Sequence, residues 1–262
     1  MVMIFSIVSS IVPQEQTGRQ HPVKKIGKNI TRSLNSVDNI AKIDVKLPDF
    51  IKKPKEGTSS FARQQITSAK FANALLTGAN FSSATLTEAD FTDALLDETS
   101  FEGSTARGGN FTKARMANAN LDAGIFDDAD FSGAELRESH ARAGEFNGTK
   151  FIGADLSFAS FSAATLNEAD FSNAYGAGSI FVGAILQNTV FSGTDLKGVR
   201  FENADLSNAS FANADMLAVR LDGAILNGAD LSAALNLTTE QLSNACADPQ
   251  TKLPEGIVAP RC

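Results

Sequence analysis

From Phe61 to Leu231 an apolar residue, nearly always a large one, returns at every fifth position: Phe61, Ile66, Phe71, Leu76, Phe81, Leu86, Phe91 and onward. Two positions before each centre sits a small one: Ala69, Ala74, Ala79, Ala84, Ala89, Ala94, and with few exceptions Ala, Ser, Thr or Gly thereafter. A period of five fits neither the 3.6-residue helix nor the two-residue pleat of a strand. It fits a chain that turns a corner at every repeat, with short extended sides. One such coil cannot bury its own core, so successive coils must stack. The aromatic composition agrees: there is no Trp, one Tyr and nineteen Phe, and most of those Phe lie on the five-residue lattice.

The repeat is clearest in Ala89-Asp90-Phe91, Ala129-Asp130-Phe131, Ala154-Asp155-Leu156, Ala169-Asp170-Phe171, Ala204-Asp205-Leu206 and Ala229-Asp230-Leu231. These units resemble the A-(D/N)-L-x-x pattern of the pentapeptide repeat family over about residues 59–236. The resemblance implies an all-β fold, a right-handed quadrilateral β-helix with four repeats per coil, so that twenty residues return the chain to the same face. Sorted by twenty, the centres fall into four columns. One reads Phe71, Phe91, Phe111, Phe131, Phe151, Phe171, Phe191, Phe211, Leu231, and the opposite one Phe61, Phe81, Phe101, Leu121, Ala141, Phe161, Phe181, Phe201, Leu221. Where the second shrinks, at Leu121 and Ala141, the following centres enlarge to Phe126 and Phe146, as a core at crystal-like density requires. Ala106 and Gly176 are two gaps with no evident partner in the sequence. Stacking at ~4.8 Å per coil makes a rod about 43 Å long.

Three regions follow: an N-terminal segment 1–58, the repeat body 59–236, and a C-terminal cap 237–262. Met1–Val12 is apolar, too short to span a bilayer as a helix, and lacks both a preceding Lys or Arg and a following A-x-A site. Export and a merely sticky chain end both stay open. Residues 13–58 hold His21, the Lys24/Lys25/Lys28 cluster and Lys52, Lys53 and Lys55 around Pro54, and read as a disordered linker with at most a short helix near Ile30–Ile40. In the cap, Thr238 with Gln241 three later is a capping-box pattern, predicting a short helix that covers the last coil. The only two cysteines, Cys246 and Cys262, both lie there. Their clustering at a loose end favours a disulfide, which calls for an oxidising compartment; two unrelated thiols is the alternative. The tail also resembles that of exported or thylakoid-lumenal pentapeptide repeat proteins.

Catalysis finds little support. His21 and His140 stand apart from any nucleophile or carboxylate constellation, and the glycines occupy small-residue slots rather than a phosphate loop. No metal set, cofactor site or catalytic residue is expected. The charge divides sharply: residues 1–60 carry ten Lys/Arg against five Asp/Glu, and residues 61–236 eleven against twenty-two. An acidic rod is ill suited to grip nucleic acid directly.

The residue before each centre points outward, and these also sort into columns. One runs Arg115, Glu135, Asp155, Tyr175, Asp195, Asp215; its neighbour runs Asp90, Asn110, Asp130, Lys150, Asp170, Val190, Ser210, Asp230. They predict two adjacent acidic faces, with Asp130, Asp155, Asp170, Asp195 and Asp215 as their candidates. Pentapeptide repeat proteins that protect or inhibit DNA gyrase are understood as mimics of duplex DNA, so the resemblance implies that activity as one reading. The other is that Asp simply suits the polar slot. One coil is apolar in all four outward slots, Tyr175, Ile180, Ile185 and Val190, a candidate belt for a protein partner or a second copy of the chain. The sequence therefore points to a non-enzymatic structural or protein-binding module, not transmembrane, in an exported compartment such as periplasm or thylakoid lumen. A cytosolic DNA-mimicking regulator of gyrase is the alternative.

Overall fold

The computed structural model describes residues 59–261, all within one compact unit, Leu47–Cys262. The apolar start, the lysine clusters and His21 lie outside the described residues. The described residues form a β-helix solenoid. Parallel bridges join each outward residue to the one twenty later, from Ser60↔Asn80 to Asp215↔Leu235, so each coil has four bridged sides separated by four two-residue turns.

One repeat, Ala79–Ser83, explains the pattern. The Ala79 amide closes a turn on the carbonyl of Leu76 (2.9 Å), Asn80 donates back one coil to Ser59 (2.9 Å), and Phe81 and Ser83 donate forward one coil to Ser100 (2.7 Å) and Glu102 (2.8 Å). Four amides in five are thus satisfied by backbone. The fifth, on Ser82, donates to Oδ1 of Asn80 at 2.8 Å. Asp or Asn before the centre therefore completes the pairing that a folded backbone demands. The second turn residue sits in the left-handed region in every repeat from Arg63 to Gly228, for instance Asn73 at φ +58° and Gly193 at +68°, which is why Gly and Asn recur there.

The core is a double stack of rings. Phe71, Phe91, Phe111, Phe131, Phe151, Phe171, Phe191 and Phe211 stack face to face without a break, their centroids 4.6–5.3 Å apart, the spacing between paired strands. Phe61, Phe81 and Phe101 stack beside them, edge-on to the first column. That second column lapses at Leu121 and Ala141 and resumes at Phe161, Phe181 and Phe201. Across the lapse, Phe126 and Phe146 stack on each other at 5.1 Å. Phe126 also meets both Phe101 and Phe111 of the preceding coil, at 6.3 and 5.9 Å, so it accounts for the small residue at Ala106. At Gly176 a Cβ would lie 3.7 Å from Leu196 Cδ2 and 3.6 Å from Ser179 Oγ, so the next coil leans into that gap.

The expected helical cap is not present: among the described residues no helix forms, and Thr239–Asn244 is a run of turns. The reciprocal capping pair exists, with Thr238 N–H on Gln241 Oε1 (2.9 Å) and Gln241 N–H on Thr238 Oγ1 (3.3 Å). The following amides nevertheless donate three residues back rather than four, as Leu242 does to Thr239 and Ser243 to Glu240. The reason is that this segment must follow the perimeter of the coil beneath it. Leu235 bridges Asp215, Cys246 bridges Ile225 and Lys252 bridges Asp230. On the remaining side the Gln241 amide donates to the carbonyls of Met216 (2.7 Å) and Val219 (3.1 Å). The result is an irregular further coil. The second member of the proposed Cys246–Cys262 pair falls just past the last described residue, Arg261.

Candidate partner-binding surface

The four apolar outward residues share one coil but occupy four different sides. Tyr175 bridges Asp155 and Asp195, Ile180 bridges Ser160 and Arg200, Ile185 bridges Thr165 and Asp205, and Val190 bridges Asp170 and Ser210. A flat partner meets at most two adjoining sides, so the belt does not form a single patch. Tyr175 and Ile180 do adjoin, across the corner turn Ala177–Gly178.

At that corner the structure adds a residue that the periodicity passed over. Phe158 is the second turn residue one coil earlier, at φ +59° and 67% exposed. Its ring lies over Gly178: a Cβ built there would sit 2.7 Å from Phe158 Cε1. Left-handed backbone is uncommon for a bulky side chain, and the same corner carries Gly178, Gly198 and Ala218 in the coils that follow. Tyr175, one coil on, is 59% exposed. Phe158, Tyr175 and Ile180 thus place two exposed aromatic rings and a half-buried aliphatic chain around one corner. The signal was present in the sequence, since Phe158 is the one Phe between Phe61 and Phe211 that is off the lattice.

The acidic candidates stand where columns would put them, with Asp155, Tyr175, Asp195 and Asp215 in one bridged line and Asp130, Lys150, Asp170 and Val190 in the next. Their carboxylates are heavily committed. Asp130, Asp155, Asp170, Asp195 and Asp215 each accept the amide two residues on. Asp155 also takes Arg137 Nε at 2.6 Å. Burial alone would raise the Asp155 carboxyl, but the hydrogen bonds from Arg137 and Ser157 bring it below its ordinary value. Lys197 Nζ spans Asp195 (3.1 Å) and Asp215 (3.2 Å) and is itself held more basic by them. Asp215 is lowered first by the Asn236 side chain, then by Lys197. Replacement of Asp170 by Asn should leave the denaturation midpoint nearly unchanged, whereas Asp170→Ala should cost about 1 kcal/mol by stranding the Ser172 amide. Equal losses for both would show that charge, not the turn, matters there.

At the C-terminal end Asp230 accepts Ser232 Oγ and Lys252 Nζ (2.6 and 2.9 Å), and its carboxyl is pushed down to about 2, the Ser232 hydroxyl being the leading cause. A folded value below the ordinary carboxylate range contributes stability fully above about pH 4 and withdraws it as pH falls through about 2. Leu231 N–H, which donates to Lys252 O at 2.8 Å, should therefore lose exchange protection across that window. Asp230→Asn should remove the pH dependence. Among the described residues no group of His, Cys, Asp and Glu is arranged to hold a metal, and no helix is long and apolar enough to cross a membrane.

A family model described as pentapeptide repeats matches in eight copies, which together cover residues 65–232. This chain belongs to the pentapeptide repeat family. Solved structures similar to this pentapeptide repeat protein include full-length QnrB1, a plasmid-mediated fluoroquinolone resistance protein, at 21% identity over 76% of this chain and 93% of that one, with a TM-score of 0.44. HetL from the cyanobacterium Nostoc, involved in heterocyst differentiation regulation, matches at 24% identity over 78% and 88% of the two chains, with a TM-score of 0.29. A pentapeptide repeat protein of the Arabidopsis thaliana thylakoid lumen matches at 22% identity over 51% and 65%, with a TM-score of 0.23. No curated protein matches.

Proposed function

We propose that this pentapeptide repeat protein is a non-enzymatic protein-binding module, a right-handed quadrilateral β-helix that offers the corner at Phe158, Tyr175 and Ile180 to a protein partner. The observation that carries the reading is the pair of exposed aromatic rings at one corner, flanked by ion pairs at Arg137–Asp155 and Lys197–Asp195. An apolar centre within a charged rim is the anatomy of a protein contact. Ile185 and Val190 fall on the other two sides and are left out of it. A photo-crosslinking amino acid placed at position 158 in living cells should yield one discrete adduct, and the same probe at Ser210 none. Equal labelling at both positions, or none at either, overturns the reading.

The organisation 1–58, 59–236 and 237–262 belongs to the same proposal, with the closing segment as the end piece that solenoids need. So does a Cys246–Cys262 bridge in an exported compartment. It is supported by the absence of a free thiol among the described cysteines and by the lack of any third cysteine in the chain. Intact mass without reductant should fall two hydrogens short of the reduced chain.

The second reading, a cytosolic mimic of DNA that regulates gyrase, is favoured by the two bridged columns that hold Asp130, Asp155, Asp170, Asp195 and Asp215. Against it, Arg137 and Lys197 engage three of those five in ion pairs, one lysine being shared by Asp195 and Asp215. Salt-sensitive inhibition of gyrase supercoiling, lost on Asp→Asn changes along these columns, would establish it in place of the first. No inhibition removes it.

A further inference from the structure

We infer that the occupant of this corner is an acidic peptide segment, its apolar anchor against Phe158, Tyr175 and Ile180 and its carboxylates on Arg200 and Arg220; this rests on the protein-binding reading above. Ser160, Ile180, Arg200 and Arg220 are bridged in one line down a single side. The corner therefore opens directly onto two arginines in successive coils.

Those two groups face outward. They share one carboxylate, Glu202, whose Oε1 lies 3.1 Å from Arg200 Nε and 3.9 Å from Arg220 Nη1. The Glu202 side chain is only 16% exposed, against 44% for Arg200 and 66% for Arg220, and its Oε2 is buried without a hydrogen bond. The positive charge is thus outermost and its counter-charge lies beneath. Elsewhere on the solenoid Arg107, Arg115, Arg137 and Arg142 are each held by a carboxylate at 3.1 Å or closer. Arg220, by contrast, makes one long ion pair and keeps its planar fork of donors for a carboxylate that arrives from outside. Lys197 does not compete, being committed on the adjoining side to Asp195 and Asp215.

Geometry sets the spacing of the segment. Arg220 lies two coils from Ile180, about 10 Å at the strand spacing, which an extended peptide covers in about three residues. An apolar residue followed within three or four positions by acidic ones matches the track. The net acidic charge of the repeat body, twenty-two Asp/Glu against eleven Lys/Arg over residues 61–236, disfavours such a segment elsewhere and directs it to the two arginines. Five side chains are few against the roughly 20–30 residues a side of a stable dimer, so a short segment suits the surface better than a second copy.

The test is selection of a random peptide library on the full chain, followed by titration of the enriched peptides. Enriched sequences should pair an apolar anchor with nearby Asp or Glu. Arg220→Glu should weaken them at least about tenfold, and raised salt should weaken them as well. Phe158→Asn should abolish binding while leaving the melting temperature unchanged, since Asn suits left-handed backbone better than Phe. Enriched peptides that are apolar and indifferent to Arg220→Glu but lost with Phe158→Asn would overturn the acidic assignment and keep the binding module. Self-association of the free chain that disappears with Phe158→Asn would make a second copy the occupant and overturn the peptide. No enrichment above background, with the chain monomeric, overturns both.

Discussion

Phe151→Asp should unfold the solenoid. The ring is fully buried, stacks on Phe131 at 5.3 Å and on Phe171 at 4.7 Å, and meets Phe161 edge-on. Removing it forfeits about 3–5 kcal/mol of packing, and a buried carboxylate without a partner adds to the loss. The sum exceeds about 5 kcal/mol, comparable to the whole stability of many domains. The stack is continuous, so the defect interrupts it in mid-length instead of trimming an end. Circular dichroism and thermal melting of the purified variant give the answer. A melting temperature close to that of the parent would refute the stacked core.

The second large effect is a coupling. A Cβ at Gly124 would stand 2.5 Å from Phe126 Cε2 and 3.1 Å from Leu121 O. Gly124→Ala should therefore cost about 1–3 kcal/mol through overpacking. Phe126→Leu alone should also destabilise, because it empties the space between Phe101, Phe111 and Phe131. Together they restore the small-then-Leu repeat found elsewhere in the chain, and the double variant should lose clearly less than the sum of the singles. Gly144 and Phe146, with a built Cβ 2.6 Å from Cε2, provide an independent copy of the experiment. Strict additivity in both cycles would show that the glycines serve the backbone alone.

How much of this was legible in the sequence depends on whether the lattice carried it. Period five alone carried the corner-turning coil; the twenty-residue return and the four columns of centres rested on the resemblance to the pentapeptide repeat family, and sorting by twenty then exposed the exchange of volume at Leu121 and Ala141 for Phe126 and Phe146. The role of Asp and Asn did not emerge from their charge. It appears only once the backbone leaves one amide in five unmet, as at Ser82 over Asn80. Column sums therefore overstated the acidic faces, since salt partners such as Arg137 and Lys197 sit in turn positions outside those columns. Phe158 was missed for a related reason. Turn residues carry no periodic signal, and an aromatic there is visible only as an exception. The cap failed on tertiary grounds: Thr238 and Gln241 make the local pair of a helix start, but the perimeter of the coil below decides the path.

That irregular last coil also has a consequence for chains meeting end to end. Its bridges are offset by twenty-one residues at Ile225↔Cys246 and twenty-two at Asp230↔Lys252, where every earlier coil keeps twenty. Gln241 has already taken the carbonyls of Met216 and Val219. An open strand edge is ordinarily a template that invites another to pair. Here an arriving rod of regular pitch finds its rungs out of step. The misfit works as a thread cut to the wrong gauge: the final turn still seats on its own coil, and nothing of even pitch can be screwed on after it.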